Sequence, residues 1–128
     1  DHPTIEQFNN QINPYLTAMG AAFSAAGYQL GVYGNYYTIA WCLEDGIGSY
    51  FWQHDWGSRG KVHPRANLHQ VAGQQASIQG VQVDINNVYA SDWGQWTPGQ
   101  PSPLTNLTPG DWSALLQGSS QMSSSWLR

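Results

Sequence analysis

The chain has 128 residues, of which eight are acidic and four basic, and charged residues make up only 9%. This length favours one domain with a real core. So few basic residues argue against nucleic acid as a partner, and the sequence has neither a basic amphipathic helix nor an apolar run that would indicate a membrane. Seven Trp and seven Tyr beside many amide side chains suit a neutral, polar ligand such as a sugar, although core packing would account for most of the Trp.

The sequence offers no cofactor or metal signature. Cys42 is the only cysteine, and its apolar surroundings in Ile39–Leu43 predict a buried side chain rather than a nucleophile. The four histidines match no spacing of metal ligands. Gly31 and Gly34 lack the third glycine of a dinucleotide-binding turn. We therefore expect neither a cofactor nor a metal.

The first predicted element is a long helix. Thr4 can cap it, with Gln7 as the capping-box partner three residues on. Apolar residues at steps of three and four form one stripe over 5–26. Pro14 should bend or split this helix, and Gly27 should end it.

Short strands and one further helix follow. The predicted elements are a strand Tyr28–Gly34, a helix Tyr36–Leu43, and strands Ser49–His54, Asn67–Val71 and Val81–Asn86. Residues 74–79 are polar and few, so they predict a short connection without a helix. A helix, a glycine and a strand in succession indicate an α/β fold.

The strand around Asp84 carries the most chemical interest. Val81, Val83 and Ile85 alternate with polar residues, so Asp84 lies on the polar face of a β-branched strand. An acid at the carboxyl end of such a strand is where α/β folds place chemistry. The alternative is an edge strand with a solvated face.

The composition changes near the carboxyl terminus. Pro, Gly and Ser dominate a tail over 97–128, in which Asp111 can cap a short helix Trp112–Gln117. The chain therefore divides into a globular part, 1–96, and this tail.

Four tracts in order carry a family resemblance, namely Gly31-Val32-Tyr33-Gly34, Tyr50-Phe51-Trp52-Gln53, His69-Gln70 and Val83-Asp84-Ile85-Asn86. Over residues 1–96 the chain resembles the carboxyl-terminal half of the family 25 muramidases, and more closely a related glycoside-hydrolase-like domain of secreted bacterial proteins. The resemblance implies an α/β fold that is the second half of a TIM-type (β/α) barrel, completed by a missing or separate amino-terminal half. It also implies a secreted or cell-surface protein whose partner is a polysaccharide or peptidoglycan.

The resemblance and the strand positions together predict a site. Asp1 and Asp84 would be the catalytic pair of a glycoside hydrolase, one as general acid and the other as stabiliser of the transition state. Pro3 stands where the muramidases have a Glu, so the acid would come from the other half, or the chain is a non-catalytic glycan-binding module. A structural role in a secreted or phage-like assembly is the third alternative. The predicted ligand contacts are Tyr33, Trp52, His54, Gln70 and Asn86, with His54-Asp55 as a further candidate cluster.

Overall fold

The computed structural model describes residues 2–97, and they form a mixed α/β unit, as the sequence predicted. Asp1, the tail beyond residue 97 and its predicted helix Trp112–Gln117 lie outside the described residues. In chain order the elements are α1 (Ile5–Gln7), a π-helical segment (Phe8–Ile12), α2 (Asn13–Ala25), β1 (Gly31–Gly34), α3 (Tyr36–Glu44), β2 (Tyr50–His54), β3 (Leu68–Ile78) and β4 (Val81–Val88).

The long amino-terminal helix begins and ends as predicted but is irregular inside. The Thr4 hydroxyl accepts from the Gln7 amide while the Gln7 side chain accepts from the Thr4 amide, which completes the capping box. Pro14 lies in the first turn of α2 and has no N–H to donate to the preceding turn. Just before Pro14 the helix has π geometry, in which the Asn13 amide donates to Phe8 O, five residues earlier. The helix closes at Gly27, whose φ is +82°.

The four strands form one sheet in the order β1-β2-β3-β4. The strands β1, β2 and β3 are parallel, while β4 pairs antiparallel with β3. Within residues 2–97, β1 and β4 each have one neighbour and are the edges of the sheet. The half-barrel therefore stays a prediction, and the antiparallel β4 departs from the all-parallel order of a TIM barrel.

Two strand predictions were wrong in their bounds. The strand β1 begins at Gly31 rather than Tyr28. The strand β3 continues to Ile78 instead of ending at Val71, and it joins β4 through Gln79 and Gly80, both with positive φ. The polar residues before this turn can form strand because the hairpin stands in solvent on both faces. A bulge between Gln70 and Gln75 interrupts the pairing with β4.

The hydrophobic core lies on one side of the sheet. Val32 of β1 and Phe51 of β2 point to this side, where Ile39 and Cys42 of α3 pack against them. Cys42 is fully buried, as predicted, and its burial, together with the nearby Asp45 carboxylate, raises the pKa of the thiol to about 11. The cysteine is therefore a core residue rather than a nucleophile.

Candidate functional site

The strand register brings six of the seven predicted site residues to the opposite side of the sheet. Tyr33 of β1 is aligned with Trp52 of β2. His54 of β2 is aligned with Gln70 of β3, and Gln70 is aligned with Asn86 of β4. Asp84 lies two residues before Asn86 and so points to the same side. We call this surface the open face; its residues are Tyr33, Trp52, His54, Gln70, Asp84 and Asn86. Asp1, the seventh, lies outside the described residues.

A continuous chain of hydrogen bonds crosses the open face. The Tyr33 hydroxyl donates to Gln70 Oε1 at 2.5 Å, and Gln70 Nε2 donates to Asp84 Oδ2 at 2.5 Å. The other carboxylate oxygen, Asp84 Oδ1, accepts from Gln75 Nε2 at 3.0 Å. Because Tyr33 occupies the Gln70 carbonyl, the amide nitrogen of Gln70 must face the carboxylate. Both oxygens of Asp84 therefore accept from amide N–H groups.

Aromatic rings cover the open face beside this carboxylate. The ring centroids of Tyr33 and Trp52 are 5.0 Å apart in an edge arrangement, and those of Tyr33 and His54 are 4.9 Å apart. Tyr33 is 50% and Trp52 40% exposed. The Trp52 indole nitrogen donates to Asn86 Oδ1 at 2.7 Å, which fixes the orientation of the ring. Tyr33, Trp52 and Asn86 together border a cavity of about 470 Å³.

Two titratable side chains on the open face are shifted by their surroundings. Burial raises the pKa of the Tyr33 hydroxyl, and the negative charge of Asp84 raises it further. Burial lowers the pKa of His54, against the opposing effects of the Asp55 carboxylate and the Trp56 backbone. We therefore expect a protonated tyrosine and a neutral imidazole on this face near neutral pH.

The predicted cluster of His54 with Asp55 is not a hydrogen-bonded pair. The Asp55 carboxylate binds His69 instead, with Oδ1 lying 2.6 Å from His69 Nε2, while Oδ2 accepts from the Ala72 amide at 2.8 Å. Consecutive residues of an extended chain point to opposite sides, so Asp55 faces away from the ring of His54. The pair ties the end of β2 to the bulge in β3.

This pair makes the stability of the fold sensitive to acid. Burial opposes the ionisation of Asp55, but the Ala72 amide and the bond to His69 outweigh it, so the pKa of Asp55 is lowered. The stabilisation is therefore present above the unfolded pKa of about 3.9 and is lost as the pH falls below it. We expect thermal unfolding to show a larger loss of Tm between about pH 6 and about pH 3 for the wild type than for Asp55→Asn. Glu44→Gln, at an exposed carboxylate, should keep the wild-type pH dependence; equal pH dependence in all three proteins would contradict the assignment.

A second, larger cavity of about 660 Å³ lies along β1, the strand at one edge of the sheet within residues 2–97. Apolar side chains of α2 and the π-helical segment line it, including Ile12, Leu16 and Met19, and Tyr33 and His54 of the open face border it. Pro3 also lines this cavity. It therefore lies close to Tyr33 and His54 of the open face.

Two features are lacking from the part of the chain that the structure describes. No group of three or more His, Cys, Asp or Glu side chains there could hold a metal ion. None of the helices in that part combines the length and the apolar character that a bilayer crossing requires.

Sequence reasoning missed two residues beside the site. Gln75, the second amide donor to Asp84, fell in the stretch that was predicted to be a connection. Trp56, whose ring lies 5.5 Å from that of His54, fell in a predicted loop. The abundance of glutamine in 74–79 was a signal of a polar strand, but alternation of apolar residues, the usual criterion, is weak there.

The open face therefore combines exposed aromatic rings with a carboxylate that is held by two amides, on the sheet of an α/β domain. The chain belongs to the family described as Rv2525c-like, glycoside hydrolase-like domain, whose model matches residues 1–89. The predicted resemblance to a glycoside-hydrolase-like domain is thereby confirmed, while the link to family 25 stays a prediction.

Relatives from Mycobacterium tuberculosis are similar over most of the described residues. A protein of strain ATCC 25618 / H37Rv named "Putative peptidoglycan hydrolase Rv2525c" is 49% identical over 98 residues, which are 75% of this chain and 40% of the relative. Crystal structures of the Tat-secreted protein Rv2525c, in complex with L-tartrate and with HEPES, match at 45% identity with TM-scores of 0.67 and 0.65. Each match covers 76% of this chain and 47% or 46% of that protein. The chain spans less than half the length of these relatives.

Proposed function

We propose that the chain is part of a glycan-active protein that hydrolyses a cell-wall polysaccharide, with Asp84 as an ionised carboxylate at the cleavage site. The observation that carries this proposal is the hydrogen-bonded chain from Tyr33 through Gln70 to Asp84 under an exposed aromatic surface. The name of the mycobacterial relative, a peptidoglycan hydrolase, supports peptidoglycan as the substrate.

The surroundings of Asp84 favour one of the two carboxylate roles in glycoside hydrolysis. A protonated carboxyl needs an acceptor for its proton, but the partners of both oxygens, Gln70 and Gln75, offer N–H donors. Asp84 is therefore suited to stabilise the positive charge of an oxocarbenium-like transition state rather than to act as the acid. The acid would be another carboxylate, for which Asp1 remains the candidate from the sequence.

The aromatic residues would bind the sugar itself. The faces of Trp52 and Tyr33 are exposed and can stack on a pyranose ring, which has apolar C–H faces. Asn86 holds the Trp52 ring in place, and the neutral His54 can donate to or accept from a sugar hydroxyl. A cavity of about 470 Å³ has the size of a small-molecule site.

A non-catalytic glycan-binding module is the second candidate. Pro3 at the position of the muramidase Glu favours it, because proline cannot supply a proton. Such a module would keep the aromatic surface and use Asp84 to accept hydrogen bonds from sugar hydroxyls. The two candidates differ in whether reducing ends appear when the protein is incubated with peptidoglycan.

The location and the complete fold are also proposals. The Tat-secreted relative supports secretion or a cell-surface location. Within residues 2–97, parallel strands with helices on one side and a β1 edge that pairs with no other strand are consistent with a barrel completed by an amino-terminal half of the same protein. In that arrangement the open face would line the interior of the barrel at its mouth.

Sugar stacking on Trp52 can be tested by binding to insoluble peptidoglycan. Trp52→Ala should weaken binding roughly 30-fold, since truncating a central aromatic contact costs about 2 kcal/mol. Trp52→Phe keeps a ring and should lose much less. Trp96→Ala is the matched control, because Trp96 is also exposed but does not line the cavity. Unchanged binding of Trp52→Ala in a sedimentation assay, with the fold intact by circular dichroism, would contradict the proposed sugar site.

A further inference from the structure

The positive charges of the chain are concentrated in one loop. The sequence has four Lys and Arg, and three of them, Arg59, Lys61 and Arg65, lie within seven residues between β2 and β3. The fourth, Arg128, lies outside the described residues. We call residues 59–65 the basic loop. In a chain with a net charge of −4, this loop is a local surface of opposite sign.

Aromatic rings, rather than carboxylates, contact two of these cations, Arg59 and Lys61. All three side chains are exposed, and the ion pair within residues 2–97 is the one between His69 and Asp55. The Lys61 ammonium lies 5.2 Å from the ring centroid of Tyr36 and 5.4 Å from that of Tyr37. The Arg59 guanidinium lies 5.6 Å from the Tyr37 ring centroid. A cation over a ring keeps its charge available to an anion, because the ring has no formal charge.

Buried polar side chains fix the backbone of the basic loop. Gln53 is fully buried; its Oε1 accepts from the His63 amide at 2.7 Å, and its Nε2 donates to Lys61 O at 2.8 Å. Ser58 is also fully buried, donates to His54 O and accepts from the Tyr36 amide. The loop is therefore anchored to β2 and to the start of α3. Such an anchored loop loses little entropy when a ligand binds.

Arg59 has a backbone conformation that an arginine seldom adopts. Its φ is +54°, in the left-handed region that favours glycine. Gly60 beside it has a φ of +71°. A long cationic side chain at such a position is less favourable for folding than a glycine would be. The conformation of the turn does not account for an arginine at this position, so we attribute the residue to a role of its positive charge.

The basic loop begins near the carboxyl end of β2, where it meets the edge of the open face. It follows His54, the last residue of β2 and a member of the open face. His54 is aligned with Gln70, which donates to Asp84. Tyr36, under Lys61, comes two residues after the end of β1. The cations pack on Tyr36 and Tyr37 of α3, so the loop lies on the α3 side of the sheet edge and meets the open face at His54.

We propose that the basic loop binds carboxylate groups on the peptide branches of the glycan whose sugars occupy the open face. This inference rests on the proposed function. Peptidoglycan carries its carboxylates on peptides attached to alternate sugars, so a strand held on the open face would present them to cations at the rim. Arg59 and Arg65 can bind a carboxylate with two parallel hydrogen bonds, while Lys61 binds it as a point charge.

The test compares the full chain with the triple variant Arg59→Gly, Lys61→Gln and Arg65→Gln on three insoluble glycans. One is peptidoglycan with intact peptides, one is chitin, a peptide-free aminosugar glycan without carboxylates, and one is peptidoglycan that keeps its peptides but has lost its phosphate polymers to hydrofluoric acid. The variant should bind peptide-bearing glycan roughly tenfold more weakly than the wild type. On peptide-free glycan the two proteins should bind alike. Raising salt from about 50 to about 300 mM should weaken only the wild type.

Several outcomes would overturn the inference. One is equal binding of wild type and variant to peptide-bearing glycan. Another is a wild-type advantage that disappears when the phosphate polymers are removed, which would make phosphate the ligand. The three positions are exposed, and relief of the unfavourable Arg59 φ offsets part of the lost cation–ring contacts, so the variant should stay folded with a Tm within a few degrees of the wild type.

Failure of the proposed function gives a different pattern. Trp52→Ala would then bind all three glycans as the wild type does. The basic loop can still be tested in that case with isolated stem peptides in solution, whose free carboxylates should shift the amide signals of 59–65 in NMR spectra of the wild type. Absence of those shifts would overturn the inference independently of any sugar binding.

Discussion

Asp84→Asn is expected to lower the rate at which reducing ends are released from peptidoglycan by roughly 100-fold to 1,000-fold. The substitution keeps the shape of the side chain but removes the negative charge that would stabilise the oxocarbenium-like state. It also replaces one carboxylate oxygen by an NH₂ group, which would then face an amide donor, Gln70 or Gln75. The rate should be measured with saturating glycan, so that a change in binding does not disguise a change in turnover.

The matched control for this experiment is Asp45→Asn. Asp45 is an exposed carboxylate that also accepts from a side-chain amide, that of Asn13, but it follows α3, away from the open face. Its replacement should leave the rate unchanged. If the wild type releases reducing ends and Asp84→Asn does so equally fast, Asp84 is not at the cleavage site. If neither protein releases any while both bind glycan, the binding module is the better description.

Gln53→Leu is expected to destabilise the fold by on the order of 3 kcal/mol. Leucine fills nearly the same volume, but it leaves two partly buried backbone groups, the His63 N–H and the Lys61 C=O, without their partners. Each such loss costs about 1–3 kcal/mol. The free energy of unfolding from urea denaturation would measure the effect.

Gln82→Leu is the matched control, since Gln82 is exposed on β4. It should change the free energy of unfolding by less than about 0.5 kcal/mol. If both variants lose a similar free energy of unfolding, the cause is the leucine itself. The loss would then not report on the anchor of the basic loop. Equal stability of Gln53→Leu and the wild type would contradict the anchoring role.

Local signals made the helices predictable from the sequence. The capping box at Thr4 and the closing glycine at position 27 depend on residues within a few positions of one another. The helix α3 begins at Tyr36, as predicted, and extends one residue further than predicted, to Glu44. The π-helical segment was not predicted, because Pro14 identifies a break without saying on which side the chain adjusts.

The open face was predictable in its members but not in its connections. Tyr33, Trp52 and Gln70 are predicted from their positions on strands, from their stacking and hydrogen-bonding groups, and from the tracts that carry the family resemblance. The bonds between them join residues that lie far apart in the sequence, such as Tyr33 and Gln70. The Asp55 bond to His69 and the anchoring of the basic loop by Gln53 are likewise set by tertiary contacts, about which a local pattern carries no information.

The bulge in β3 decides whether Asp84 has one amide donor or two. Between the pairs Gln70 with Asn86 and Gln75 with Asp84, β3 advances five residues while β4 advances two. Side chains alternate along a strand, so two residues five positions apart would normally face opposite sides. The three extra residues of β3 bring Gln70 and Gln75 to the same side of the sheet, so both side chains reach the Asp84 carboxylate. The geometry around Asp84 therefore depends on the bulge between Gln70 and Gln75 as well as on the two glutamines that contact it.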